Sequence, residues 1–178
     1  AAEKSMVLLK NQCDILPLPP SVKQILVVGK LADTENTGDH GSSQVHPPYV
    51  VTPLQGLKEF IGDSIKIVYT DGIDLKRTAE LALKADYVIA LCGYNYNDEG
   101  EFISPEGSDS SSGDQLAAGG DRRNLSLNAE DIELLNIAGE ANRNTVAVII
   151  SGSAVIMEEW RENVSAILLS FYSGSEGG

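Results

Sequence analysis

Five short apolar runs constrain this chain more than any other feature. They are Gln24–Gly29 (QILVVG), Ile65–Tyr69 (IKIVY), Tyr87–Gly93 (YVIALCG), Thr145–Ser151 (TVAVIIS) and Ala166–Tyr172 (AILLSFY). Four of them are nearly continuous in hydrophobicity. A strand with one face in water alternates apolar and polar residues. A continuous run has both faces covered, which is the condition of a strand inside a parallel sheet. Ile65–Tyr69 alternates more than the others and is expected nearer an edge.

Helical patterns separate the runs. Ala1–Asn11 carries Met6, Leu8 and Leu9. Pro53–Ile61 places Leu54, Leu57, Phe60 and Ile61 on one face, with Thr52 as N-cap and Pro53 in the first turn. Leu75–Lys84 is short and rich in Ala and Leu. Asn128–Asn142 is the clearest helix: Asn128 is positioned to cap it, Asp131 follows three residues on, and Ile132, Leu135, Ile137 and Ala138 form its apolar face. A short helix is expected over Val155–Arg161, with Trp160 packed inside. Alternating strand and helix predicts an α/β fold: a three-layer sandwich around a mostly parallel, twisted sheet of about six strands. The 178 residues fit one domain, 1–178. The chain opens on Ala1-Ala2-Glu3-Lys4 within a helical pattern and closes on Gly177-Gly178, so it reads as one domain of a longer protein.

Several function classes fall away. The formal net charge is −13, and nucleic acid or an anionic membrane surface would need clustered Lys and Arg. No apolar run approaches the roughly 18 residues of a membrane span. Cys13 and Cys92 are the only cysteines, and without a CxxC pair they support neither a disulfide scaffold nor a thiolate metal site. Cys92 reads as a buried small hydrophobe. His40 and His46 are the only histidines, too few for the three or four convergent ligands of zinc, so no metal is expected. The turn Val28-Gly29-Lys30-Leu31 is neither GxGxxG nor a phosphate-binding GxxxxGK[ST] loop, and no GxSxG elbow occurs. No cofactor is expected.

Two stretches are too long for economical connections, which usually run about 4–6 residues. They are Lys30–Val51 and Tyr94–Leu127, and each follows a strand. Ligands of open α/β sheets bind in the crevice beyond the carboxyl ends of the strands. The second stretch contains Asp98-Glu99-Gly100-Glu101-Phe102 and later Glu106, Asp121 and Arg122. A carboxyl group in a cleft beside aromatic groups has its charged form disfavoured and can serve as a general acid, the role that protonates the leaving oxygen in glycoside hydrolysis. Glu101, between Gly100 and Phe102, fits that description. Tyr94, Tyr96 and Phe102 are placed to stack on a sugar or to pack the core. A merely solvated acidic loop is the plain alternative.

Four motifs in register then point one way. Ser5-Met6-Val7-Leu8-Leu9-Lys10-Asn11 with Leu16-Pro17-Leu18, Gly41-Ser42-Ser43-Gln44-Val45 with Thr52-Pro53-Leu54, Gly100-Glu101 with Gly120-Asp121-Arg122, and Ser175-Glu176-Gly177-Gly178 together resemble the C-terminal α/β sandwich domain of glycoside hydrolase family 3. The resemblance implies a retaining β-glycosidase, a β-glucosidase in type. It would hydrolyse terminal non-reducing β-glucosyl residues of a β-glucoside or oligosaccharide. The implied acid/base is Glu101. Phe102 stands where the family usually has Gly, so Glu99 is the second candidate and Glu106 the third. Asp121 and Arg122 match a pair that supports the loop. Asp39, His40, Gly41 and Ser42, with Tyr96 and Phe102, fall where substrate would be contacted. The nucleophile Asp is implied on a TIM-like barrel absent from this chain, so the barrel is the implied partner and the isolated chain is expected to be inactive. A non-catalytic carbohydrate- or ligand-binding module is the competing reading, and a flavodoxin-like nucleotide domain a weaker third.

Overall fold

The computed structural model of the chain describes residues 2–38, 44–99, 122 and 124–178. Its elements are α1 (Ala2–Ser5), β1 (Val7–Asn11), β2 (Gln24–Val28), α2 (Pro53–Ile61), β3 (Lys66–Thr70), α3 (Leu75–Ala82), β4 (Tyr87–Gly93), α4 (Tyr96–Glu99), α5 (Ala129–Ala141), β5 (Thr145–Ile150) and β6 (Ala166–Leu169). The strands form a six-stranded sheet in the order β1-β6-β5-β4-β2-β3. Five strands run parallel and β1 pairs antiparallel with β6. This is the predicted α/β sandwich, and β3, the alternating run, lies at an edge.

Both faces of the sheet are covered, and side chains of one strand divide between two cores. In β2, Ile25 and Val27 face the α2 side, with Ile15, Val22 and Leu54. Leu26 and Val28 face the α3 and α5 side, with Ala82, Leu134, Leu135 and Ala138. β4 divides likewise: Tyr87, Ile89 and Leu91 join the first core, and Val88, Ala90 and Cys92 the second. This is why the runs show no alternation: an inward face exists on either side. Trp160, 1 % exposed, packs into the second core, a packing role rather than a sugar platform.

Two expected helices are absent. Ala1–Asn11 is not one helix: α1 ends at Ser5 and Val7 begins β1. Val7 and Leu8 pair with Leu169 and Leu168, and a bulge shifts the register before Lys10. Pairing with β6 overrides the local helical spacing. Val155–Arg161 forms turns, because Ile156 donates its N–H to the Leu125 carbonyl at 2.8 Å and bridges Ser126, which withdraws it from a helical ladder. α2 has its predicted bounds, and the Thr52 hydroxyl accepts the Gln55 N–H.

Connection direction reverses between β2 and β4. The β2–α2–β3 connection runs toward one edge with α2 on one face. Those from β3 onward run toward the other edge, with α3 and α5 on the opposite face, as right-handed crossovers require. The carboxyl ends of β2 and β4 therefore diverge, the usual place for a ligand crevice. Glycine ends both turns. At Gly93 (φ +132°) an added Cβ would lie 1.9 Å from the Ile150 carbonyl oxygen, and at Gly29 (φ +115°) 2.1 Å from that of Leu91, so no other residue fits either place.

Candidate active site

The carboxyl ends of three neighbouring strands, β4, β5 and β6, converge on one carboxylate. β4 exits through Gly93 into Tyr94 and Asn95, and Asn95 starts the single turn α4. The Asn97 N–H donates to Asn95 Oδ1 at 2.9 Å, and the Asn95 N–H to Asp98 Oδ2 at 3.0 Å. These reciprocal bonds close a turn too short to hold itself by helical hydrogen bonds alone. Asn128 Nδ2 ties Asp98 to the start of α5 at 3.2 Å. The expected N-cap role of Asn128 is thus replaced: its side chain makes no cap bond to α5.

Glu99, the last residue of α4, is held from three sides. Arg122 Nε lies 3.0 Å from Glu99 Oε2. The Tyr172 hydroxyl donates to Oε1 at 2.6 Å, and the Gly152 N–H donates to the same oxygen. The two charged side chains are only 10 % and 8 % exposed, so the pair is screened far less than a surface ion pair. Tyr172 reaches it because Phe171 takes a left-handed φ of +54°, which turns the chain leaving β6 toward α4. Burial first, then the hydrogen bond to Glu99, raises the Tyr172 phenol well above its ordinary value. Gly152 lies just beyond β5.

Arg122 is equally committed. Its guanidinium stacks over the Tyr94 ring at 4.4 Å, a cation–π geometry. Nη2 donates to the Ala154 carbonyl at 2.9 Å and to the Ser153 hydroxyl. Nη1 is buried and has no acceptor among the described residues. Tyr94 is 2 % exposed and its hydroxyl donates to the Ser126 carbonyl, so Tyr94 packs the core under Arg122 and does not offer its ring to a sugar.

Beside this cluster, beyond the ends of β2, β3 and β4, lies a cavity of about 620 Å³, lined among others by Lys30, Asp71, Asn97, Asp98 and Asp131. Asp131 Oδ2 accepts the Gly93 N–H at 2.9 Å. Burial raises its carboxyl to about 6 and the nearby Asp98 adds to the rise, while the Gly93 N–H, Cys92 and Lys30 oppose it.

Of the candidate site residues singled out in the sequence, Tyr94, Tyr96, Glu99 and Arg122 are described. Tyr96 opens α4 and is half-buried. Glu101, Glu106, Phe102, Asp121, Asp39, His40, Gly41 and Ser42 lie outside the described residues. His46 is exposed. Among the described residues no group of three His, Cys, Asp or Glu could hold a metal ion, and no helix is long and apolar enough to cross a membrane. Tyr172, Gly152 and Asp131 were not singled out as site residues. The first two sit on strand exits whose convergence is a property of sheet order, and a left-handed Phe has no local signature.

Residues 6–178 match the Glycosyl hydrolase family 3 C-terminal domain. The chain belongs to glycosyl hydrolase family 3. It is 33 % identical over 201 residues to a β-glucosidase of Bacteroides ovatus, covering 99 % of this chain and 25 % of that protein. It is 29 % identical over 191 residues to a β-xylosidase of Formosa agariphila, covering 99 % of this chain and 24 % of that one. Among solved structures, a family 3 β-glucosidase of Bifidobacterium adolescentis superposes with a TM-score of 0.79 at 30 % identity, over 99 % of this chain and 24 % of that chain. The family 3 domain therefore spans about a quarter of the length of the relatives it matches.

Proposed function

We propose that this family 3 domain supplies the general acid/base, Glu101, of a retaining β-glycosidase acting on terminal β-glucosyl residues. The nucleophilic Asp would come from the part of the enzyme that relatives carry outside this domain. In the first step the Glu101 carboxylic acid gives its proton to the departing glycosidic oxygen while the nucleophile forms a glycosyl ester. In the second, the Glu101 carboxylate removes a proton from water, which displaces the ester and restores both groups. Neither carboxyl group alone completes the cycle, so the isolated domain is expected not to turn over.

The observation that carries this reading is the Glu99–Arg122 ion pair. It joins the residues that flank segment 100–121 and stands at the carboxyl edge of the sheet, where α/β folds bind ligands. Glu101 follows Glu99 by two residues, a chain distance of at most about 7 Å. The β-glucosidase and β-xylosidase names of the relatives support a β-linked pyranoside as substrate.

The test is Glu101→Ala in the enzyme that carries this domain, assayed on an aryl β-glucoside with a good leaving group, with and without azide. The glycosyl-enzyme should form and stall, and azide should restore turnover as a β-glycosyl azide. Near-normal turnover without azide would refute the assignment and move the role to Glu99 or Glu106, or leave the domain as a binding module.

A further inference from the structure

Glu99 is the nearest rival to Glu101 for the acid/base role, and its surroundings suit a different task. Among the described residues, every polar contact to its carboxylate comes from a donor: Arg122 Nε at 3.0 Å, the Tyr172 hydroxyl at 2.6 Å and the Gly152 N–H. A general acid must carry a proton and turn it toward the leaving oxygen. A carboxylate that accepts on both oxygens while 10 % exposed is oriented inward, toward the strand exits. Charge-assisted bonds of this kind are short and directional, and here the donors come from the exit of β5, the exit of β6, and Arg122.

We propose that Glu99 is a positioning residue. With Arg122 and Tyr172 it fastens both ends of segment 100–121 to the exits of β5 and β6, and so sets where the acid/base stands. This rests on the reading of Glu101 as the acid/base. Tyr172 gives the device its direction: its phenol approaches from the strand that the left-handed turn at Phe171 redirects, so α4 is fixed relative to β6 as well as to β5. Arg122 is fixed in turn by the Tyr94 ring and the Ala154 carbonyl, which leaves the pair little freedom to shift. A misplacement of about 1 Å at a reacting group can cost on the order of 100-fold in rate.

The experiment compares Glu99→Gln, Arg122→Lys, Tyr172→Phe and Glu101→Gln in the enzyme that carries this domain. It uses aryl β-glucosides with good and poor leaving groups, across pH and with azide. For E99Q we expect kcat/KM on the poor leaving group to fall about 10- to 100-fold. The basic limb of the pH profile should persist but be displaced, and no glycosyl azide should form, because an ionisable acid/base is present but ill-placed. R122K should fall in the same direction and Y172F less. E101Q should lose the basic limb altogether. Azide rescue with loss of the basic limb in E99Q would overturn the proposal and make Glu99 the acid/base. Wild-type rates and profile in both E99Q and R122K would overturn it by reducing the pair to packing. R122K keeps the charge, so it answers the question even where E99Q folds poorly. A basic limb retained in E101Q would instead refute the assignment of Glu101, whatever E99Q does.

Discussion

Asp131 Oδ2 accepts the backbone N–H of Gly93 at 2.9 Å, so the first turn of α5 is bonded to the last residue of β4. That N–H sits where the strand ends in a conformation only glycine adopts, and the carboxyl group gives it a partner. The sequence suggested a capping role for Asp131 within its own helix. The structure gives it a partner on another element.

The burial of Asp131 makes stability depend on pH in a defined direction, and the Gly93 bond only moderates it. Asp131 is raised from 3.8 to about 6, chiefly by burial. A carboxyl raised in the folded state is easiest to accommodate when neutral, so its stabilising contribution is complete below about 4 and is lost as pH rises through about 6. A tenfold change in equilibrium is about 1.4 kcal/mol, which bounds the loss at about 3 kcal/mol. Asp131→Asn keeps an acceptor for Gly93 and removes the charge. Urea unfolding should find the variant more stable by about 1–3 kcal/mol at pH 7.5 and close to wild type at pH 4. An equal difference at both values would contradict this account.

Two glycines at neighbouring strand exits should respond unequally to alanine. At Gly93 the new Cβ meets the Ile150 carbonyl oxygen at 1.9 Å in a backbone conformation that disfavours a side chain, so a loss above about 3 kcal/mol is expected. At Gly152 the new Cβ meets Glu99 Oε1 and Tyr172 Cε2 at 3.2 Å, and both belong to side chains that can yield. Gly152→Ala should cost about 1 kcal/mol while lowering activity as E99Q does. Thermal melts of the two variants separate the cases, and equal melting temperatures would show that the backbone at Gly93 yields after all.

Trp160 is buried, and its Nε1 lacks an acceptor among the described residues. Removing the whole side chain should cost about 3–5 kcal/mol. Trp160→Phe gives up some packing but also removes an unpaired N–H worth about 1–3 kcal/mol of desolvation, so it should lose less than half as much. Chemical denaturation of both variants checks this; losses of similar size would mean the indole outline matters more than burial.

Tyr172 should be among the last tyrosines to ionise, since burial and the Glu99 carboxylate both oppose its anion. Ultraviolet difference titration of wild type and Glu99→Gln should show one phenol moving to lower pH in the variant. An unchanged alkaline limb would argue that burial alone governs it.

Much of the fold was readable because the physics that sets it is local. Thr52-Pro53 marks a helix start whatever lies around it, and a run such as Val88-Ile89-Ala90-Leu91-Cys92 has only a doubly covered sheet to go to. β1 was not readable: Val7-Leu8-Leu9 takes its conformation from Ile167-Leu168-Leu169, far along the chain, and alone its spacing suits a helix. The site divides the same way. Glu99 and Arg122 stand beside motifs and were visible as candidates, but the contacts that decide what Glu99 does come from Gly152 and Tyr172. These arrive only once β4, β5 and β6 lie side by side.

The Glu99–Arg122 pair also separates a framework from an inset. With its ends fastened, the stretch between those positions closes a loop whether it is short or long, and closure entropy grows by only about 0.6 kcal/mol for each doubling of length. Insertions, deletions and changes of composition there cost the sheet little as long as positions 99 and 122 are kept. The sheet edge is thereby framed by positions 99 and 122, independently of what the chain carries between them.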